Sequence, residues 1–298
     1  MCADPTIEFS RRPSTAAFML RACYPSPGLH RTGGFRPIKA IWRQCRLDRK
    51  HLAAFLELTG LSADQGLPVL YPHVLGFPLQ MAILTHQAHP LPIWNSLQTR
   101  NHLLQHQPIS ADAALDLETR VAGQRILEKG AEVDLHTSVR ARDELLWESL
   151  NTFYYRGRFG RPEPAAALAR APAVADQPVA EWHMPAGPGW RFGGLTGDYN
   201  GIHWSRWYAR RFGFRQAFHH PPLVLGQCMA RLPAPDSFAA QRLDAWFKGP
   251  VYYGSDVRLR AETQSGRTAF ALTAAGDERP AIAGCWRRIQ ADEKLLPD

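Results

Sequence analysis

A chain of 298 residues with 45% hydrophobic and 21% charged residues can bury one large core or two smaller ones, which excludes a disordered chain. No apolar run approaches the roughly 18–20 residues that cross a bilayer, so the chain reads as cytoplasmic, with no membrane attachment. The net charge of +8 comes from arginines interspersed with acids rather than from one basic run, which argues against a nucleic-acid binder.

In chain order, residues 1–37 read as a loose N-terminal arm; Arg11 and Arg12 lack the longer apolar run that a twin-arginine export signal needs. Residues 38–158 form a first unit. Residues 159–188 are rich in Pro and Ala without an apolar period and read as a linker. Residues 189–298 form a second unit. The five cysteines (Cys2, Cys23, Cys45, Cys228, Cys285) are odd in number, scattered and without a CxxC pair, against a disulfide framework or a structural zinc. Cys228 and Cys285 sit among apolar neighbours as small core residues.

The two units echo one another. Leu58-Thr59-Gly60 recurs as Leu195-Thr196-Gly197, and Met81-Ala82 as Met229-Ala230, each pair inside an apolar segment that begins near prolines. Strand-like runs follow at Thr99-Arg100-Asn101-His102 and Phe247-Lys248-Gly249-Pro250. Each unit ends in alternating runs around tight turns: Ala131 to Tyr155, turning near Arg142-Asp143, and Val257 to Ile289, turning near Ser265-Gly266 and Gly276-Asp277. A short helix, an apolar helix and several strands, twice, predict an α+β layer arrangement in which two sheets meet edge to edge.

The second unit is longer by 11 residues between the Thr-Gly pair and the Met-Ala pair, 33 against 22. That insertion holds the chemistry. Asp198 and His203 flank the turn pair Asn200-Gly201, which brings a carboxylate and an imidazole round to one point, the arrangement of general acid–base work on a water. The same residues also suit a turn in which Asp and Asn bond their own backbone. Phe192, Trp204, Trp207 and Tyr208 supply an apolar surround. Ser205 predicts a cap for a helix over 206–212 stopped by Gly213, and Pro221 or Pro222 the first turn of the central helix. His219 reads as a partly exposed loop residue. Arg206, Arg210, Arg211, Arg215 and Arg231 lie in an acid-free stretch from 199 to 235, suited either to an anionic substrate handle or to a solvated face.

TGDYNGIHWSRWYARRFGF, followed by His220 and FKGP, resembles the MaoC-like (R)-specific enoyl-CoA hydratases and acyl dehydratases; YPHVLGFPLQMAILT looks like the degenerate first half of their double hot-dog members. The resemblance covers most of residues 38–292. It implies two antiparallel sheets, each wrapped on a central helix and fused in one chain. The units are then a degenerate hot-dog at 38–158 and a MaoC-like hot-dog at 189–298. It further implies hydration or dehydration of an enoyl or (R)-3-hydroxyacyl thioester, with Asp198 and His203 catalytic. Gly197, Asn200, His220, Leu223 and Lys248 are its substrate-binding positions. No metal and no separate cofactor are implied, since coenzyme A or phosphopantetheine arrives with the substrate. The partners are acyl-CoA or acyl carrier protein, and a homodimer is left open. Two departures stand out. Gly201 replaces the family's Pro, and Pro221 replaces the Gly whose N–H serves as an oxyanion donor. Leu223 or His219 is then the candidate replacement donor. A non-catalytic thioester-binding or complex-forming subunit is the alternative, and a hot-dog thioesterase ranks last.

Overall fold

The computed structural model describes residues 4–64, 66–164, 166–175, 177–187, 189–233, 240–289 and 293–295; Cys2 and positions 165, 176 and 188 of the Pro/Ala-rich stretch lie outside them. The described chain opens with a short strand, β1 (Thr6–Phe9), and two short helices, α1 (Thr15–Arg21) and α2 (Leu29–Thr32). β1 pairs in parallel with β2 (Lys39–Arg46), Thr6 opposite Lys39, and α1 buries Phe18. The arm is therefore not loose, as residues 1–37 suggest when read alone. Its backbone satisfies itself on an open sheet edge, and Ile7 and Phe9 pack against the core.

In the first half, Asp48 opens α3 (Arg49–Thr59) by accepting the N–H of Lys50 at 2.8 Å, and Gly60 closes it in the left-handed region at φ 75°. α4 (Tyr71–Leu84) is apolar all round, which demands burial on every side, and each of its 14 residues is buried. Four long strands follow: β3 (Ser96–Gln105), β4 (Ala114–Leu127), β5 (Gly130–Ala141) and β6 (Glu144–Arg156). Arg142 and Asp143, both at positive φ, make the tight turn between β5 and β6 where the sequence places one.

The second half starts earlier than residue 189. β7 (Pro178–His183), inside the stretch that reads as a linker, pairs antiparallel with β9 (Asp256–Gln264). Proline at its head and alternate exposure are what an edge strand permits, so composition alone disguises it. Between them come α5 (Trp190–Thr196), α6 (Arg206–Arg211), α7 (Pro221–Met229) and β8 (Gln241–Phe247), and β10 (Arg267–Ala274) and β11 (Ile282–Arg288) complete the half. β8 stops at Phe247. Lys248 and Gly249, read as strand, are loop residues whose N–H groups both turn to the carbonyl of Ala281.

Among the described residues the strands join one sheet of 11, in the order β1-β2-β4-β5-β6-β3-β8-β11-β10-β9-β7. The halves meet at the antiparallel pair β3–β8, Arg100 opposite Trp246. This is the double hot-dog arrangement, its two sheets fused edge to edge. The internal repeat holds at atomic level. Thr59 Oγ1 donates to Phe55 O at 2.8 Å and Thr196 Oγ1 to Phe192 O at 3.2 Å. Each hydroxyl also receives the N–H two residues on, that of Leu61 or of Asp198. Both motifs end on a left-handed glycine, Gly60 or Gly197. Leu61 in the first half therefore stands where Asp198 stands in the second.

Candidate active site

The turn after α5 is built by local polar bonds. Gly197 closes the helix at φ 82°, where an L side chain is strained. Asp198 Oδ1 then accepts the N–H of Asn200 at 3.1 Å, and Asn200 Oδ1 accepts that of Ile202 at 3.3 Å. These successive Asx bonds are the backbone-bonding arrangement that the sequence left open. They coexist with a functional geometry, because Asp198 spends only Oδ1 on its backbone bond and keeps Oδ2 for the site. Residues Gly201–His203 form one 3-10 turn, and His203 Nε2 lies 3.7 Å from Asp198 Oδ2.

His203 is buried, and its Nδ1 is 3.0 Å from the carbonyl oxygen of Phe218. A carbonyl only accepts, so the ring carries its proton on Nδ1 and turns a lone pair at Nε2 toward Asp198. Burial holds the His203 pKa below its ordinary value, against the opposing pull of Asp198 and the Phe218 carbonyl. Two proton acceptors thus face each other across a gap too long for a direct bond. One water can donate an O–H to each.

His220 braces this pair. Its ring stacks on His203 with centroids 3.8 Å apart and planes 22° apart, and its Nε2–H donates to the backbone carbonyl of Asp198 at 3.0 Å. Burial, with His203 beside it, pushes the His220 pKa down to about 3, so the ring is neutral. Asp198, His203 and His220 offer ligand-type atoms within 4.8 Å of one another. Imidazole binds an ion in its own ring plane, however, and two stacked rings present no common in-plane point. The cluster suits a bound water better than a metal.

Asp198 and His203 open on a cleft of about 270 Å³, lined by residues of both halves. Asn200, His220 and Lys248 line it too; Gly197 and Leu223 do not. Gly197 serves the turn, and Leu223 is buried in the core. The first half adds Phe77, Met81, Leu84, Ile93, Trp94 and Phe153 to the apolar lining. Gln98, Thr196 and Met19 also reach the cleft. Sequence patterning did not single out these residues for the site, because an apolar cleft wall has the same periodicity as a core.

The first turn of α7 offers no backbone donor. Pro221 and Pro222 have no N–H, and those of Leu223 and Val224 both go to the carbonyl of His220, at 3.0 and 3.3 Å. Neither expected replacement is in place. The Leu223 N–H is spent, and His219, in a loop as expected, is buried rather than partly exposed, away from the cleft with its ring 4.3 Å from that of Tyr253. The basic stretch after the site is solvent-facing at Arg206, Arg210, Arg211 and Arg215, with Arg211 over Trp207 and Arg215 over Tyr252. Among the described residues no helix is long and apolar enough to cross a membrane.

Residues 177–278 match the family model described as the MaoC like domain. The chain is 28% identical over 246 residues to the 3-hydroxyacyl-thioester dehydratase X of Mycobacterium tuberculosis, covering 80% of this chain and 86% of that protein. The crystal structure of HtdX from M. tuberculosis superposes with a TM-score of 0.72 at 23% identity, over 84% of this chain and 100% of that one. A second M. tuberculosis protein, described as having a double hot-dog fold, gives a TM-score of 0.51 at 13% identity over 84% and 95% of the two chains. With the sheet joined at β3–β8 and the Asp198 turn already in place, these likenesses show a double hot-dog fold whose second half matches the MaoC like domain over residues 177–278.

Proposed function

We propose that this protein is a hydro-lyase that adds water to an enoyl thioester, or removes it from the (R)-3-hydroxyacyl thioester, on the carboxylate of Asp198 and the imidazole of His203. The carrier is coenzyme A or the phosphopantetheine of an acyl carrier protein. The observation that carries the reading is the 3.7 Å gap between two proton acceptors on the wall of an apolar cleft. In hydration, one water donates to both groups. Its oxygen bonds to C3 as one proton passes to Asp198, and the electrons of the double bond move toward the thioester carbonyl. The carboxyl group then returns that proton to C2, so H and OH have been added and Asp198 ends as it began. His203 accepts the water's other O–H at Nε2 and aims the attacking lone pair. Its own proton is held by Phe218, so its part is to position rather than to donate.

The negative charge that develops on the thioester oxygen needs a donor, and α7 supplies none from its first two residues. Lys248, a cation on the cleft wall, takes that part, which makes a side chain the substitute for a backbone N–H. The test is turnover. Purified protein should hydrate crotonyl-CoA or longer enoyl-CoAs, and Asp198→Asn should lower kcat by about 1,000-fold or more while saturated acyl-CoA still binds. Saturable binding with no product, in wild type and variant alike, would instead establish the thioester-binding subunit that the two prolines favour.

A further inference from the structure

We infer that the N-terminal segment, through Met19 on α1, forms one wall of the acyl cleft and sets the length of chain the protein accepts; this rests on the thioester reading above. The segment is tied to both halves. β1 belongs to the first-half edge of the sheet. Arg12 then crosses to the second half, where its guanidinium donates to the carbonyls of Leu195 at 2.6 Å and Gly194 at 3.1 Å. These carbonyls lie in the last turn of α5 and lack helical partners, so a cation there is doubly favoured. Next, Thr15 lies so close to Gly197 that a methyl on the glycine would sit 2.8 Å from its hydroxyl. The start of α1 therefore touches the turn that carries Asp198.

The other end of α1 is fixed to the apolar part of the cleft. Trp94, a lining residue from the first half, donates its indole N–H to Ala22 O at 2.9 Å. A helix of seven residues is about 10 Å long, so α1 spans the distance from the catalytic turn to the Trp94 region. Met19 lies one turn beyond Thr15, on the same face and about 6 Å farther along the axis. It reaches the cleft, while Phe18 anchors the helix in the core and packs edge-on against Phe9. Leu20, two residues past the buried Phe18 and so on the far side of the helix from it, is 69% exposed. A flexible thioether beside the path of the tail fills space that a longer or shorter chain would compete for.

The experiment compares kcat/KM for trans-2-enoyl-CoAs of four to twelve carbons in wild type, Met19→Ala, Met19→Trp and Leu20→Trp. Met19→Trp should lower kcat/KM for the longest accepted chain at least tenfold relative to crotonyl-CoA. Met19→Ala should shift the preference toward longer chains. Leu20→Trp, which adds the same bulk on the solvent side, should leave the profile unchanged. Calorimetric binding of saturated acyl-CoAs of the same lengths reads the wall without turnover. A wild type that binds but does not hydrate would therefore fail the proposed reaction and still test this inference. Profiles of both Met19 variants that superimpose on wild type, in turnover and in binding, would overturn it.

Discussion

Four buried imidazoles make the fold sensitive to mild acid. Burial is the leading cause that holds His73, His89 and His220 down to about 3 and His219 to about 4, from an ordinary 6.5. Above pH 6.5 both folded and unfolded chains keep these rings neutral, and pH has no effect through them. Below it the unfolded chain binds protons that the folded chain refuses, so stability falls as pH drops toward the folded values. Lowering the pH to 5 covers 1.5 units at about 1.4 kcal/mol each, or about 2 kcal/mol per ring. Four rings give about 8 kcal/mol, as large as the whole stability of an ordinary domain, about 5–15 kcal/mol. Urea unfolding followed by tryptophan fluorescence at pH 7.5 and 5.0 measures the loss. His73→Leu removes one ring and should shrink the loss by about 2 kcal/mol. Stability equal at both pH values within about 1 kcal/mol would show that the rings are protonated in the folded chain or reach water there, and would refute the reasoning.

Lys248→Met should lower kcat about 100- to 1,000-fold in a steady-state hydration assay, the cost of one oxyanion donor, with KM much less affected. In that background, Pro221→Gly returns an N–H to the first turn of α7 and should recover at least about tenfold of the loss; no recovery would place the thioester oxygen away from the helix. Gly197→Ala should cost about 1–3 kcal/mol in chemical unfolding, from a positive φ and a clash with Thr15. Thr15→Gly should relieve the clash but not the backbone strain, so the double variant should recover only part of the loss.

The site was legible because it is local. Asp198, Asn200 and His203 sit within six residues on a turn whose geometry their own side chains enforce, and the Ser205 cap and the prolines of α7 follow rules that need no tertiary context. What stayed hidden depends on distant chain. β7 has no apolar period of its own and exists because β9 offers it an edge. Residues 1–37 look like an arm until Arg12 and Thr15 meet Leu195 and Gly197 far along the chain and Phe18 is buried. His219 reads as partly exposed because nothing in its neighbourhood announces that Tyr253 will cover it. The missing donor at α7 was legible residue by residue, since proline lacks an N–H in any context. That the Leu223 N–H is also spent depends on how the first turn closes onto the carbonyl of His220.

The paired Thr-Gly turns, one ending in Leu61 and the other in Asp198, have a consequence for how such a molecule can vary. In an assembly of two identical copies, every change in sequence lands twice, and neither site can give up its carboxylate without the other doing so. Covalent joining removes that constraint. One copy of the turn is free to become purely apolar while its twin keeps the carboxylate, so on the proposed reading each polypeptide carries one acyl chain rather than two.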